Sequence, residues 1–148
     1  MKQIYILAIT ILFFNGCNTT QDKQIENKFN IYISKLSNEE IEHNLSKGLK
    51  PIAIKDNIDV KGFANTAGSL ALKDNRPSNN AFLIQKLVDN GYFVIGKTNL
   101  SEWANFRSSS STSGWSSMGG QTIHPYGSMR TPCGSSSGSG VVVATELI

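Results

Sequence analysis

Two short segments of the sequence carry residue types that could work together in catalysis. The first is an apolar stretch, residues 51–54, that ends in Lys55. The second is a turn rich in glycine and serine, residues 133–140, with the sequence C-G-S-S-S-G-S-G. A lysine in a low-dielectric environment loses its proton more easily, because desolvation disfavours the ammonium form. The neutral amine can then act as a general base toward a serine hydroxyl.

Each segment also has a simpler interpretation. A lysine at the end of a strand commonly reaches water or pairs with a carboxylate, and Asp56 and Asp59 lie close by in the sequence. Periodicity alone favours this interpretation for Lys55. The second segment could be a serine-rich linker, but it is compact and bounded by Thr131-Pro132 and an apolar run. Its glycines also alternate with serines, as a tight backbone path requires.

A second lysine lies in a segment, residues 91–98, that matches the letters of a phosphate-binding P-loop. In a P-loop the four variable residues form a turn after a strand and expose backbone N–H groups to phosphate. Here the variable residues 92–95 are themselves predicted to be the strand, and a helix precedes them. We therefore reject nucleotide binding, and we predict that Lys97 is an ordinary lysine just past that strand.

Composition and charge narrow the classes of partner. The chain of 148 residues suits one domain, and its net charge of +3 is mild. No basic stripe is interleaved with aromatic residues, so we expect no nucleic-acid partner. His43 and His124 lack a cysteine or carboxylate at ligand spacing, so we expect surface or hydrogen-bonded histidines and no metal site.

Residues 1–16 are typical of an export signal. Lys2 supplies the positive charge, and the apolar run of residues 4–14 follows it. That run is too short to span a bilayer, which takes about 20 residues. It closes at Gly16-Cys17, which resembles the lipobox of bacterial lipoproteins, in which the cysteine carries the lipid.

Lipidation at Cys17 would make the protein an exported lipoprotein of the cell envelope, anchored in the periplasm or at the outer membrane. Phe14 departs from the small aliphatic residue usual three positions before the cysteine. An ordinary cleaved signal and an uncleaved hydrophobic N-terminus therefore stay open. If Cys17 carries lipid, Cys133 is unpaired, so no disulfide framework is expected.

The rest of the sequence predicts an α/β domain. Residues 17–48 are expected to form a tether and N-terminal helices, and residues 49–148 the domain itself. Residues 18–24 are polar and suggest the tether. An amphipathic pattern with helical spacing follows, carried by Ile25, Phe29, Ile33 and Leu36. Ser37 and Glu40 fit a capping box for the next helix, and Gly48 is its expected stop.

Within the domain the pattern predicts a strand, a helix and a second strand. Residues 51–54 are short and apolar, which is typical of a buried strand. Asn79 or Asn80 can cap a helix that runs to Asp89, and residues 92–95 form the second strand. The buried side of the helix is expected to comprise Phe82, Ile84, Leu87 and Val88. This order favours a sheet covered by helices.

Five blocks of the sequence, in order and with sensible gaps, resemble the amidase signature family. The blocks are residues 53–62, 66–69, 96–104, 119–121 and 131–138. Members of this family hydrolyse amides with a Ser–cis-Ser–Lys triad in a mixed-sheet α/β/α fold. The resemblance implies the N-terminal part of that fold, with a mixed central sheet covered by helices, and an enzyme without a cofactor.

By position, the resemblance makes Lys55 the base and Ser135 the bridging serine that follows a cis peptide bond. Gly134, Ser136 and Gly138 would support the turn. Neutral Lys55 would take the Ser135 proton, while Ser135 accepts one from the nucleophilic serine that attacks the carbonyl. The implied substrate is a small-molecule amide or a peptide amide.

The sequence departs from the family pattern around this turn and beyond it. The usual Gly-Gly pair before the bridging serine is Cys133-Gly134 here, and a following glycine is Ser137. The nucleophilic serine should lie at about position 159, and no serine follows Ser139 in this sequence. We therefore expect a truncated amidase domain that lacks the nucleophile and is inactive alone.

Two other functions stay open. A degenerate amidase half-domain could serve a non-catalytic lipoprotein that binds a ligand or a partner. An amidotransferase subunit that works on charged tRNA shares the family motifs, but an export signal argues against that cytosolic role.

Overall fold

The computed structural model describes residues 19–106 and 108–147. The expected signal of residues 1–16 and the expected lipidation site, Cys17, lie outside the described residues. None of the described helices is long and apolar enough to cross a membrane.

The described residues form four helices and five strands, and irregular segments dominate from Ser101 to Ser136. The helices are α1 (Thr19–Phe29), α2 (Asn38–Ser46), α3 (Phe82–Asp89) and α4 (Ser137–Ala144). The strands are β1 (Tyr32–Lys35), β2 (Lys50–Lys55), β3 (Tyr92–Thr98), β4 (Trp115–Ser116) and β5 (Gly120–Gln121). Short 3₁₀ turns lie at Leu70–Leu72 and Glu102–Asn105.

The main sheet is mixed, as the family resemblance implies. Its order is β1-β3-β2, with β3 parallel to β2 and antiparallel to β1. Strands β4 and β5 form a separate small hairpin. In the β2–β3 register Lys55 lies opposite Thr98, so the two parallel strands end side by side. The turn of residues 133–140 lies against this shared edge.

Helices cover both faces of the main sheet because both faces of β2 and β3 are apolar. On one face Ile84 of α3 packs with Ile54, Val60 and Val94. On the other face Val141 and Val142 of α4 pack with Ile31 and Ala53. Each fully buried aliphatic side chain of this kind stabilises the fold by about 1.5–3 kcal/mol. Since side chains alternate along a strand, Lys55 shares the α4 face with Ala53.

The helix that the capping box predicts is present as α2. Ser37 Oγ accepts a hydrogen bond from the Glu40 backbone N–H at 3.2 Å, and Glu40 Oε2 accepts one from Ser37 N–H at 2.9 Å. Gly48 follows the end of the helix with a φ of +75°, a left-handed conformation that glycine adopts without strain. The expected stop is therefore confirmed.

The N-terminal prediction was wrong in one respect. The segment expected to be the tether, residues 18–24, is helical from Thr19, where α1 begins. The amphipathic pattern over residues 25–36 is not one helix: α1 ends at Phe29, and β1 follows. Asn30 takes a left-handed φ of +50°, which interrupts the helix, and β1 gains its backbone partners from β3.

Helix α3 is present, but its start and its buried side differ from the prediction. Ala81 takes the N-cap position, and the Asn80 side chain instead accepts a hydrogen bond from Lys61 N–H at 2.8 Å. Phe82 and Val88, expected inside, are 80% and 40% exposed. Ile84 is buried as expected, so the helix contacts the sheet along a narrower stripe. The apolar residues 141–144, which follow the glycine- and serine-rich turn, lie in α4.

Candidate active site

Lys55 contacts Ser135 across a sequence separation of 80 residues. Lys55 is the last residue of β2, and its Nζ donates a hydrogen bond to Ser135 Oγ at 2.6 Å. The carboxylates suggested as alternative partners are engaged elsewhere: Asp56 accepts from Thr66, and Asp59 from Asn65. The water-exposed, carboxylate-paired lysine that periodicity alone favours is therefore wrong.

The half-buried position of Lys55 has an electrostatic consequence. Burial lowers the pKa of the Lys55 ammonium below its ordinary value of 10.5, because the charged form loses hydration. A lowered pKa increases the fraction of neutral amine near neutral pH, which is the form a general base requires.

The Gly134–Ser135 peptide bond is cis, as the resemblance implies for the bridging serine. Before it, Cys133 has a φ of +58°, in the left-handed region that favours glycine. After it, Ser137 Oγ donates a hydrogen bond to the Cys133 carbonyl oxygen at 2.5 Å. The chain thus keeps a tight turn at both positions where it lacks the family's glycine, and Ser137 adds a side-chain bond that closes the turn.

Two of the three predicted supporting residues are glycines in close contact with neighbouring segments. A Cβ on Gly134 would lie 2.4 Å from Ser101 Oγ, and one on Gly138 would lie 2.4 Å from the Ile31 carbonyl oxygen. Ser136 contributes through its backbone: it is the exposed N-cap of α4, and its carbonyl oxygen accepts from the backbone N–H of residue 140 at 3.0 Å.

The segment that follows β3 holds the turn through main-chain hydrogen bonds. Ser101 N–H donates to the Ser135 carbonyl oxygen at 3.0 Å, and Gly138 N–H donates to the Asn99 carbonyl oxygen at 2.9 Å. Ser101 Oγ accepts a further bond from Gly114 N–H at 2.9 Å. The turn that carries Ser135 is therefore fixed from residues 99–101 as well as from Lys55.

Asn99 is a buried residue whose side chain makes several hydrogen bonds, and the sequence pattern did not identify it. Its Oδ1 accepts from Leu100 N–H at 2.9 Å and from Ser116 Oγ at 2.6 Å. Its Nδ2 donates to three oxygens at 3.0–3.3 Å, those of the Asn30 and Gly120 carbonyls and the Thr122 hydroxyl. One amide thus joins the α1–β1 connection to the β4–β5 hairpin, directly beside the turn.

Lys97 is wrongly predicted as an ordinary lysine past the strand. It lies within β3 and is completely buried. Its Nζ donates to the carbonyl oxygens of Asp56 at 2.8 Å, Ile58 at 2.9 Å and Ala64 at 3.1 Å. Three acceptors match the three hydrogens of an ammonium group. Burial lowers the pKa of Lys97, and the negative charges of Asp56 and Asp59 oppose that shift.

Asp56 completes this buried charge centre. Its Oδ1 lies 4.0 Å from Lys97 Nζ. Its Oδ2 accepts from Thr66 N–H at 3.1 Å, Thr66 Oγ1 at 2.6 Å and Gly68 N–H at 3.0 Å. Lys97 and Asp56 together fold the loop that follows Lys55 back against β3. These contacts fix the end of β2 from the α3 face, whereas Ser135 contacts Lys55 on the α4 face.

Neither histidine lies in a metal-binding cluster. His43 is exposed on α2, and His124 Nδ1 accepts a hydrogen bond from Tyr126 N–H at 3.1 Å. Over residues 19–106 and 108–147, no three His, Cys, Asp or Glu side chains are grouped to hold a metal ion.

The chain is similar in sequence to known amidases and amidotransferases. The profile of the family described as Amidase matches residues 24–148. A glutamyl-tRNA(Gln) amidotransferase subunit of Methanosarcina acetivorans is 42% identical over 140 residues, which is 95% of this chain and 27% of that protein. A protein of Arabidopsis thaliana named as a probable amidase is 42% identical over 99 residues, 66% of this chain and 19% of that protein.

The fold is also similar to that of solved amidase structures. The X-ray structure of native peptide amidase from Stenotrophomonas maltophilia superposes with a TM-score of 0.74 at 41% sequence identity, covering 87% of this chain and 30% of that one. The chain therefore spans between 19% and 30% of the length of these three relatives. The expected mixed-sheet fold is confirmed, and the chain belongs to the amidase family.

Proposed function

We propose that this chain supplies the lysine base and the bridging serine of an amide hydrolase that cleaves the C–N bond of a carboxamide or a peptide amide. The observation that carries the proposal is the 2.6 Å contact between Lys55 Nζ and Ser135 Oγ at the end of β2. The lowered pKa of Lys55 supports it, since the base must be neutral to accept a proton. The reaction also needs a nucleophilic serine, which the family pattern leads us to expect at about position 159.

In the proposed reaction each proton has a defined path. The nucleophile gives its hydroxyl proton to Ser135 Oγ, and the Ser135 proton passes to the Lys55 lone pair. The nucleophile's oxygen forms a bond to the amide carbonyl carbon, and the C–N bond breaks as the relay returns a proton to the leaving nitrogen. Water then cleaves the acyl-serine ester and releases the acid.

A titration of Lys55 tests the base directly in the full 148-residue chain. With [13C]lysine labelling, the Cε resonances report the pKa of each lysine, and Lys55→Met identifies the signal. Lys50, exposed at the other end of β2, is the matched control. We expect Lys55 to titrate below its ordinary pKa of 10.5 and Ser135→Ala to move the Lys55 resonance. A Lys55 that titrates at its ordinary pKa of 10.5 would exclude the proposed base.

Catalysis needs the third group, so we propose that the 148-residue polypeptide alone releases no ammonia from peptide amides. Ammonia release that depends on both Lys55 and Ser135 would show that a nucleophile is already present. The coding sequence after codon 148 is a further test. A stretch like Asp-Ile-Gly-Gly-Ser near position 159 favours the hydrolase, whereas a stop codon favours a non-catalytic binding lipoprotein.

The second candidate is an amidotransferase component, because the relative in Methanosarcina acetivorans that carries this name aligns with 95% of the chain. The two candidates differ in location. We propose that the protein is exported and anchored in the cell envelope through lipid on Cys17. Replacing Cys17 with alanine should release the protein from the membrane fraction. A protein that fractionates with the cytosol before and after this change would favour the amidotransferase.

A further inference from the structure

A second side-chain contact lies beside the Lys55–Ser135 pair. Thr98 Oγ1 and Ser139 Oγ are 2.7 Å apart. Thr98 is the last residue of β3 and is the register partner of Lys55 on β2. Ser139 lies four residues after Ser135, in the first turn of α4. The ends of two neighbouring strands therefore each contact one serine of the same turn.

The Thr98–Ser139 contact differs in kind from the other bonds that hold the turn. The main-chain bonds from Ser101 and Asn99 fix the backbone of the turn to the segment beyond β3. Thr98, by contrast, ties the first turn of α4 to the strand itself, on the face that carries Lys55. Thr98 is completely buried, and its carbonyl oxygen also accepts from Asp56 N–H at 3.1 Å. It thus contacts both the turn and the residue after Lys55.

The two side-chain contacts respond differently when Lys55 gains or loses a proton. The Lys55–Ser135 contact changes its character when Lys55 gains or loses a proton, because the ammonium only donates and the neutral amine can accept. Threonine and serine hydroxyls do not ionise in the pH range of an enzyme. A hydroxyl pair next to Lys55 can therefore hold the turn equally in both protonation states.

We propose that Thr98 is a positioning residue which, through Ser139, keeps Ser135 within reach of Lys55 whether Lys55 is charged or neutral. This inference rests on the proposed function of Lys55 and Ser135. Asp56 and Lys97, the charged residues next to these strand ends, lie on the α3 face of the sheet and do not enter this contact.

The test compares Thr98→Val, Ser139→Ala and the double variant in the full chain. Thr98→Val keeps the shape of the side chain and removes the hydroxyl. We expect each single variant to raise the Lys55 pKa toward its ordinary value of 10.5, because a loosened turn buries Lys55 less. The double variant should give the same shift as either single one, since both remove one and the same contact.

Thr145→Val is the matched control, because the hydroxyl bonds that Thr145 makes among the described residues go to carbonyl oxygens within α4, at the far end of the helix. It should leave the Lys55 pKa unchanged. Circular dichroism verifies folding, and Ser139→Ala alone decides the test if Thr98→Val does not fold. Additive shifts, or a Lys55 pKa and resonance at wild-type values in these variants, would overturn the proposal.

A second readout separates this proposal from the proposed function. In Ser135→Ala the Lys55 Cε resonance at neutral pH reports the broken contact, and Thr98→Val should move it in the same direction. If wild-type Lys55 titrates at its ordinary pKa of 10.5 but Thr98→Val still reproduces that movement, the base assignment fails and the positioning role stands. If wild-type Lys55 has a lowered pKa that Thr98→Val and Ser139→Ala leave unchanged, only the positioning role fails.

Discussion

The Lys97 ammonium donates a hydrogen bond to the carbonyl oxygen of Asp56 at 2.8 Å, immediately after the lysine that contacts Ser135. Two further carbonyls of the same loop accept the remaining hydrogens of this ammonium. One buried cation thus ties the central strand to the loop that continues β2. A buried charge is costly unless it is paired and hydrogen-bonded, so this cation and the Asp56 carboxylate depend on each other.

We expect Lys97→Met to lower the free energy of unfolding by about 3–5 kcal/mol, because it leaves the Asp56 carboxylate buried without its cation. Urea denaturation followed by circular dichroism measures the change. Lys50→Met is the control: Lys50 is exposed on β2, and the expected change is within about 0.5 kcal/mol. Adding Asp56→Asn to Lys97→Met should recover part of the loss. Equal unfolding midpoints for Lys97→Met and Lys50→Met would contradict the prediction.

The free energy of unfolding should also rise with pH on the alkaline side of neutrality. Burial lowers the pKa of Lys55, whereas in the unfolded chain it returns to its ordinary value of 10.5. Between these two values the unfolded state binds more protons than the folded state, so stability increases with pH. Below the lowered pKa the cost of burying the charged amine is fully present. Lys97 contributes in the same direction, because burial lowers its pKa too.

Lys55→Met should therefore reduce the slope of stability against pH and leave the Lys97 contribution in place. The measurement belongs below the ordinary Tyr32 pKa of 10.0. Burial raises the pKa of Tyr32, so ionisation of the unfolded chain destabilises the fold above that pH. Urea titrations at several pH values from about 7 to 10 give the two slopes. Identical slopes for wild type and Lys55→Met would rule out a lowered Lys55 pKa.

Parts of the fold that depend on local signals were predictable from the sequence. The Ser37 capping box, the strand before Lys55 and the end of α3 at Asp89 each rest on residues within a few positions of one another. The boundary between α1 and β1 was not predictable from local signals, because β1 takes its hydrogen-bond partners from β3, more than 60 residues away.

The candidate site was predictable only in part. Periodicity alone favours an exposed Lys55, and its contact with Ser135 follows from the family resemblance and not from any local pattern. Lys97 and Asn99 lie inside a block that matches the family, yet nothing local distinguishes them from exposed polar residues. The acceptors of the Lys97 ammonium and of the Asn99 amide N–H groups lie 21–69 residues away along the chain. Such burial depends on tertiary contacts that composition and spacing do not encode.

Gly138→Ala should destabilise the protein by about 3 kcal/mol. The added Cβ would lie 2.4 Å from the Ile31 carbonyl oxygen and 2.7 Å from the Asn99 backbone nitrogen, and main-chain atoms in the core cannot move aside. Gly140→Ala is the control in the same helix, since its Cβ would meet no atom within 4 Å. There alanine should stabilise by up to about 1 kcal/mol. Similar urea midpoints for the two variants would show that the turn is not tightly packed against Ile31 and Asn99.

Asn99→Asp should cost about 3 kcal/mol of unfolding free energy although the side chain keeps its shape. The carboxylate cannot donate to the three oxygens that Nδ2 contacts, and it places a negative charge beside them. Asn75→Asp is the control, because the Asn75 amide makes one exposed bond, to the Asn65 carbonyl oxygen. Since Asn99 also holds Gly138 through its carbonyl oxygen, the Lys55 Cε resonance should move in Asn99→Asp and stay in Asn75→Asp. An Asn99→Asp variant as stable as Asn75→Asp, with the Lys55 resonance unmoved, would remove Asn99 from the support of the turn.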